Sequence, residues 1–119
     1  MTSTVTIDGI EYAPVAQIAA RDGGDSYVIV RCKNAGVHVG YIVEQDDVNG
    51  TCVLEDSRRL WRWHGRTLSG LAIEGTDDPA KCRFGDPLPS ITLRGWSEII
   101  PCSVVARESL QSVAVWEND

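Results

Sequence analysis

The sequence predicts an α+β fold, a mainly antiparallel β-sheet with two short helices at about 67–75 and 103–111. Three observations lead there. Runs of β-branched and aromatic residues recur, separated by turns rich in glycine, asparagine and aspartate. Two segments carry helix-capping residues at their starts. No repeat, heptad or low-complexity tract competes with this pattern. With 119 residues the chain fits a single domain spanning 1–119, large enough for a modest hydrophobic core.

Val5-Thr6-Ile7-Asp8-Gly9-Ile10-Glu11-Tyr12 reads as an N-terminal hairpin, about 4–13, around an Asp-Gly turn. A short helical turn is expected from Ala16 to Ala20, then a flexible connector, about 21–25, in Arg21-Asp22-Gly23-Gly24-Asp25. Tyr27 to Cys32 is a strand by composition. After a turn at Asn34-Ala35-Gly36, a second strand follows from Val37 to Glu44. Val37, Val39, Tyr41 and Val43 share one of its faces, and His38, Gly40, Ile42 and Glu44 the other. Asp46 to Gly50 is rich in turn-forming residues, and Thr51 to Glu55 returns as a third strand of an antiparallel meander.

Thr67 caps a helix from Leu68 to Glu74, ended by Gly75, with Leu68, Leu71 and Ala72 as its apolar stripe. The stretch from Thr76 to Pro89 is loop-rich, with Pro79, Pro87 and Pro89. Ile91-Thr92-Leu93 and Glu98-Ile99-Ile100 read as further strands. Ser103 caps a helix from Val104 to about Gln111, and Val113 to Trp116 reads as a terminal strand.

Seventeen acidic side chains oppose eleven basic ones, a net charge of −6. Polymeric nucleic acid is therefore not an expected partner, because it demands a broad basic surface. A small basic pocket in an acidic protein suits a small anion better. No apolar run approaches the ~20 residues of a membrane span, and the N-terminus lacks the pattern of a signal peptide. An intracellular protein with no membrane partner is expected. Cys32, Cys52, Cys82 and Cys102 are isolated in sequence and read as buried free thiols. No metal or cofactor is expected, since His38 and His64 lie at ligand spacing from no cysteine.

Against this acidic background, Arg58-Arg59-Leu60-Trp61-Arg62-Trp63-His64-Gly65-Arg66 stands apart. It holds four of the eleven Lys/Arg side chains, two of the four tryptophans and one of the two histidines. Guanidinium groups grip phosphate or carboxylate through a planar fork and stack on indole rings. As a strand, the segment would point Arg59, Trp61 and Trp63 one way and Arg58, Leu60, Arg62 and His64 the other. As helical turns, it would bring Arg58 near Trp61 and Arg62 near Arg66. The strand is preferred, because tryptophan favours strands and the neighbours are strands.

The chain resembles a family of small proteins encoded by bacteriophages and prophages and classed as a domain of unknown function. The resemblance rests on Thr4 to Tyr12, Tyr27 to Arg31, Ala35 to Tyr41, Ser57 to Trp63, and Glu98 to Cys102. It implies a phage origin and residence in the cytoplasm of the infected bacterial host. By analogy it also implies an anti-defence role, in which a homo-oligomer sequesters nucleotide-derived immune signals.

The functional expectation is a non-enzymatic binder of a small nucleotide-derived anion. Arg58 and Arg62 would take phosphate, with Arg59 beside them in the cluster. Trp61 or Trp63 would stack on a base, and His64 would donate a hydrogen bond. His38 and Arg31 are secondary ligand-contact candidates. The bland alternatives are packed or interfacial tryptophans with snorkelling arginines, a structural His38, and a surface ion pair at Arg31. Asp46-Asp47 and Asp77-Asp78 read as turn aspartates before metal ligands. Ser69 lacks a nucleophile elbow, and no phosphate-binding loop is present. Two further functional readings stand beside capture: an interaction module that inhibits a host defence protein, and a minor virion or assembly component.

Overall fold

The computed structural model describes the backbone of residues 5–7, 10–12, 18–65 and 67–117, and the side chains of residues 18–65 and 67–117. Its fold is α+β, with a mainly antiparallel sheet and two helices. Val5–Ile7 (β1) pairs with Ile10–Tyr12 (β2). The Asp-Gly turn expected between them lies outside the described residues. Ile18 and Ala20 are not helical as expected. They bridge Ser103 and Ser26, and Ala19 N donates to Cys102 O at 2.8 Å. Tertiary pairing here overrides a weak local preference for helix. Residues 21–25 close into a turn, where Arg21 N donates to Asp25 O and the Arg21 guanidinium pairs with Asp25 and Glu55.

Tyr27–Cys32 (β3), Gly36–Asp46 (β4) and Thr51–Arg62 (β5) form the antiparallel meander. Beyond it lie Leu68–Glu74 (α1), Arg83–Phe84 (β6), Leu88–Arg94 (β7), Trp96–Pro101 (β8) and Val104–Gln111 (α2). Both helices begin where their caps predict. Thr67 Oγ1 accepts from Gly70 N, and Ser103 Oγ accepts from Ala106 N. The expected terminal strand is reduced to a single parallel bridge, Phe84 to Val115.

β7 and β8 are separated only by Gly95, yet they pair with opposite sides of the meander, β7 with β5 and β8 with β3. The sheet must therefore curl. Gly95 N donates to Gly50 O at 2.8 Å and Gly95 O accepts from Lys33 N at 2.9 Å, although Lys33 and Gly50 flank opposite ends of β4. Gly95 supplies the positive φ, 71°, that this junction needs. Two cores result. Val28, Val30, Cys32, Cys52, Leu54 and Leu93 fill the inside of the curl. Tyr27, Ile29, Val39, Leu60 and Phe84 pack outward against Leu71, Ala72, Ala106 and Leu110 of the helices. Full burial of each large apolar side chain contributes roughly 1.5–3 kcal/mol.

The long strand β5 replaces the two separate strands expected for Thr51–Glu55 and the Arg/Trp segment. A bulge joins its halves. Tyr41 pairs with Glu55 but Val39 with Arg58, and Asp56 takes a φ of 49°. The extra residue switches which face the even-numbered side chains occupy. Leu54 lies inside the curl, whereas Leu60 faces the helices. Gly40 stands opposite, where an added Cβ would come within 2.9 Å of Glu55 O.

Candidate functional site

The bulge decides what the Arg/Trp segment can do. It turns Arg58 toward the helix-side core, where the residue is only 6% exposed. Nε donates to Gly85 O at 3.0 Å, and Nη1 donates to Val113 O at 2.6 Å and to Leu110 O at 3.4 Å. The guanidinium carbon lies 5.2 Å from the centre of the Phe84 ring. Burial pulls the Arg58 pKa down, with Tyr27 and Asp86 acting the other way. The group remains a cation, since arginine does not lose its proton in proteins. The expected phosphate ligand is thus spent on backbone carbonyls.

His38 is buried as well, and its Nε2 donates to Ala35 O at 2.8 Å. Burial pulls its pKa down, opposed by that hydrogen bond. It occupies the structural role weighed from the sequence. Arg31 pairs with Glu98 at 3.1 Å, and β4 lies between its strand and β5. His64 Nδ1 lies 2.9 Å from Asp77 Oδ1, and Trp63 packs half-buried against the helix-side core.

Arg59 and Trp61 face outward as a stacked pair, with the guanidinium carbon 3.9 Å from the indole centre. Trp61 is 55% exposed. The alternation expected for a strand holds for Arg58 and Leu60 opposite Arg59 and Trp61, but Trp63, expected on the face of Arg59 and Trp61, packs with Leu60 against the helix-side core, because the register shifts between Leu60 and Arg62.

Of the expected ligand residues, Arg62 lines a cleft together with other cations. A further register shift, between Leu60 and Arg62, brings Arg62 opposite Arg83 of β6. Around them lies a cleft of about 370 Å³ lined by Arg62, Ala80, Lys81, Cys82, Arg83 and Trp116. Lys81 stands on the turn Pro79–Lys81, with Nζ 3.8 Å from Asp78 Oδ2. The Arg83 guanidinium lies 5.1 Å from the Trp116 ring centre. Among the described residues neither Arg62 nor Arg83 makes an ion pair. Like charges directly opposed across strands repel and destabilise the ladder, so an anion placed between them gains on both sides.

Lys81, Arg83 and Trp116 were not visible as site residues in the sequence. β6 is two residues long and carries no periodicity, and only long-range pairing brings it to Arg62. The single available signal was a pair of basic residues two apart, Lys81 and Arg83, within an otherwise acidic loop region.

A larger hollow of about 650 Å³ lies along Glu44, Gln45, Asp46, Asp47, Thr51, Cys52 and Val53. Its carboxylates oppose an anion. Asp46 accepts from Val48 N, Asn49 N and Asn49 Nδ2, which is the turn role expected of it and which lowers its pKa. Among the described residues no three or more His, Cys, Asp and Glu side chains gather for a metal. None of the described helices is long and apolar enough to cross a membrane.

Fold and cleft together define a small α+β protein with a curled antiparallel sheet and a cationic, indole-flanked recess at one side. The family described as "Domain of unknown function (DUF6948)" matches residues 25–110, and the chain belongs to that family. No curated protein and no solved structure matches the chain. The matched span contains Arg62, Lys81 and Arg83, whereas Trp116 lies beyond it.

Proposed function

We propose that this protein binds and holds a small nucleotide-derived anion in the cleft between β5 and β6, without making or breaking a bond. Phosphate oxygens would bridge Arg62 and Arg83, with Lys81 adding charge, and a flat ring would lie against Trp116. The single observation that carries this reading is the direct opposition of Arg62 and Arg83, with no ion pair to either among the described residues, in a protein of net charge −6. Planar guanidinium forks match phosphate geometry, and indole stacking adds roughly 1–3 kcal/mol for a base. A recess of about 370 Å³ falls within the usual range for small-molecule sites.

The resemblance to phage-encoded proteins supports a sequestering role in the cytoplasm of an infected bacterium, with a homo-oligomer as the working form. The test is isothermal titration with adenosine diphosphate and with pyrophosphate, on the wild-type protein and on Arg62→Ala and Arg83→Ala. Binding that both substitutions weaken, with the ligand recovered intact after heating, supports capture. Recovery of a cleaved product would identify an enzyme, and no binding of either probe would reject the cleft.

A second reading, a protein-interaction module, draws on the Arg59–Trp61 stack, because exposed Trp and Arg are frequent anchors of interfaces. A host protein retained by Arg62→Ala but lost with Trp61→Ala would favour it.

A further inference from the structure

We infer that Arg58 is the positioning residue of this cleft, fixing its indole wall and so its preference for ring-bearing anions over bare phosphates. The inference rests on the cleft reading above and concerns which half of the cleft depends on what.

The phosphate half is held by the sheet itself. Leu60 pairs with Phe84 and Arg62 with Arg83 across the β5–β6 ladder, and Gly85 N donates to Arg59 O at 2.8 Å. The indole half has a different origin. Trp116 lies on the segment that follows α2. That segment reaches the sheet through the Phe84–Val115 bridge and through Trp116 N, which donates to Phe84 O at 2.9 Å. Arg58 reaches the same segment from beneath. One guanidinium nitrogen takes Val113 O at 2.6 Å while Nε takes Gly85 O at 3.0 Å. A single rigid fork thus ties the start of the Trp116 segment to the residue after Phe84, the point where that segment docks. Lysine, a point charge on a flexible stem, cannot span both carbonyls in this way.

The residue is a costly choice for packing alone. Among the described residues, Arg58 Nη2 is buried with no hydrogen-bond partner and no carboxylate forms an ion pair with the guanidinium. Apolar side chains of similar volume often stabilise such positions more. What an apolar side chain cannot do is fix two carbonyls of separate segments in one plane.

The test uses the full chain labelled with 5-fluorotryptophan and observed by fluorine NMR. The Trp116 signal is assigned by its loss in Trp116→Phe. In Arg58→Lys we expect that signal alone to narrow and move toward that of free fluorotryptophan, while those of Trp61, Trp63 and Trp96 stay. Affinity for adenosine diphosphate should fall about tenfold, the size of one lost base–aromatic stack, and that for pyrophosphate by less than about twofold. An unmoved Trp116 signal, or an equal loss for both probes, would overturn the inference. Should the wild type bind neither probe, the cleft reading fails, and the fluorine signal in the absence of ligand still decides whether Arg58 positions Trp116. Should Arg58→Lys fail to fold, hydrogen exchange on the wild type decides. An Arg58 Nε–H as slow to exchange as the core amides of β3 supports the latch, and one that exchanges like free arginine refutes it.

Discussion

Arg62 and Arg83 stand as register partners across two antiparallel strands, with their like charges left opposed. Sheets ordinarily avoid this arrangement. Replacing either by alanine should leave the unfolding free energy unchanged or raise it by about 0.2–1 kcal/mol, the usual size of a cross-strand pair term. The same substitutions should weaken pyrophosphate binding by about tenfold or more, since a charge-assisted hydrogen bond is lost. Urea melts and titration calorimetry measure the two effects separately. A clear loss of stability in both variants would mark the pair as structural.

Arg58→Ala should behave in the opposite way. Three carbonyls lose a charged donor and a large side-chain volume empties, so the expected cost is roughly 3 kcal/mol. Denaturant unfolding of the purified variant checks this. A cost below about 1 kcal/mol would mean that water replaces the guanidinium with little penalty.

His38 gives the fold a pH dependence with a defined sign. Burial places its folded-state pKa below the unfolded value, so between those values the unfolded chain binds a proton that the folded chain refuses. Stability from this residue is complete at neutral pH. It is lost as pH falls below about 6.5 and levels off below the folded-state value. Urea unfolding from about pH 7.5 to about pH 5.5 should show a steeper decline for the wild type than for His38→Gln. Parallel slopes would contradict the assignment.

Asp56 occupies the left-handed region at φ 49°. Asp56→Val should cost roughly 1–2 kcal/mol, because a β-branched side chain is strained there, while Asp56→Gly should be neutral or slightly stabilising. The Arg21–Asp56 contact of 3.9 Å is too exposed to offset this. Thermal melts of the two variants against wild type read the difference directly.

All four cysteines are free and buried, and burial pushes the thiol of Cys102 up to about 12 and that of Cys52 up to about 11. Native protein should therefore react slowly with a thiol reagent at mild alkaline pH, and unfolded protein at once. Cys82 lines the cleft, so its labelling should slow further when adenosine diphosphate is bound. Mass mapping of the modified thiols tests both points. Labelling of Cys82 that ignores the ligand would count against the cleft.

The helices were legible because their boundaries are written locally. Thr67, Gly75 and Ser103 act through bonds to neighbours three or four residues away. The meander was legible for a similar reason, since Tyr27 to Cys32 and Val37 to Glu44 carry β-branched side chains on a two-residue period. The two-residue strand at Arg83 has no room for a period, and its partner lies across the whole of α1. The Arg/Trp segment was recognised as unusual, but the sequence could not apportion its arginines. Which guanidinium goes inward depends on a bulge several residues upstream, and a bulge leaves no mark in alternation until the partner strand is known. Arg58 and Arg62, expected to act together, consequently serve different ends. The sequence pattern carried the pairing of guanidinium with indole, but of the residues it singled out only Arg62 lines the cationic cleft described above.

The extra residue at position 56 makes β5 behave like a sentence with a shifted reading frame. The residues on either side of it, up to Glu55 and from Ser57 to Leu60, obey opposite conventions for in and out. Shortening the chain by one residue there would not merely tighten a strand. It would rotate the downstream half by half a turn, sending Leu60 to water and Trp61 toward the helices, and would dismantle the cleft without touching any residue that lines it.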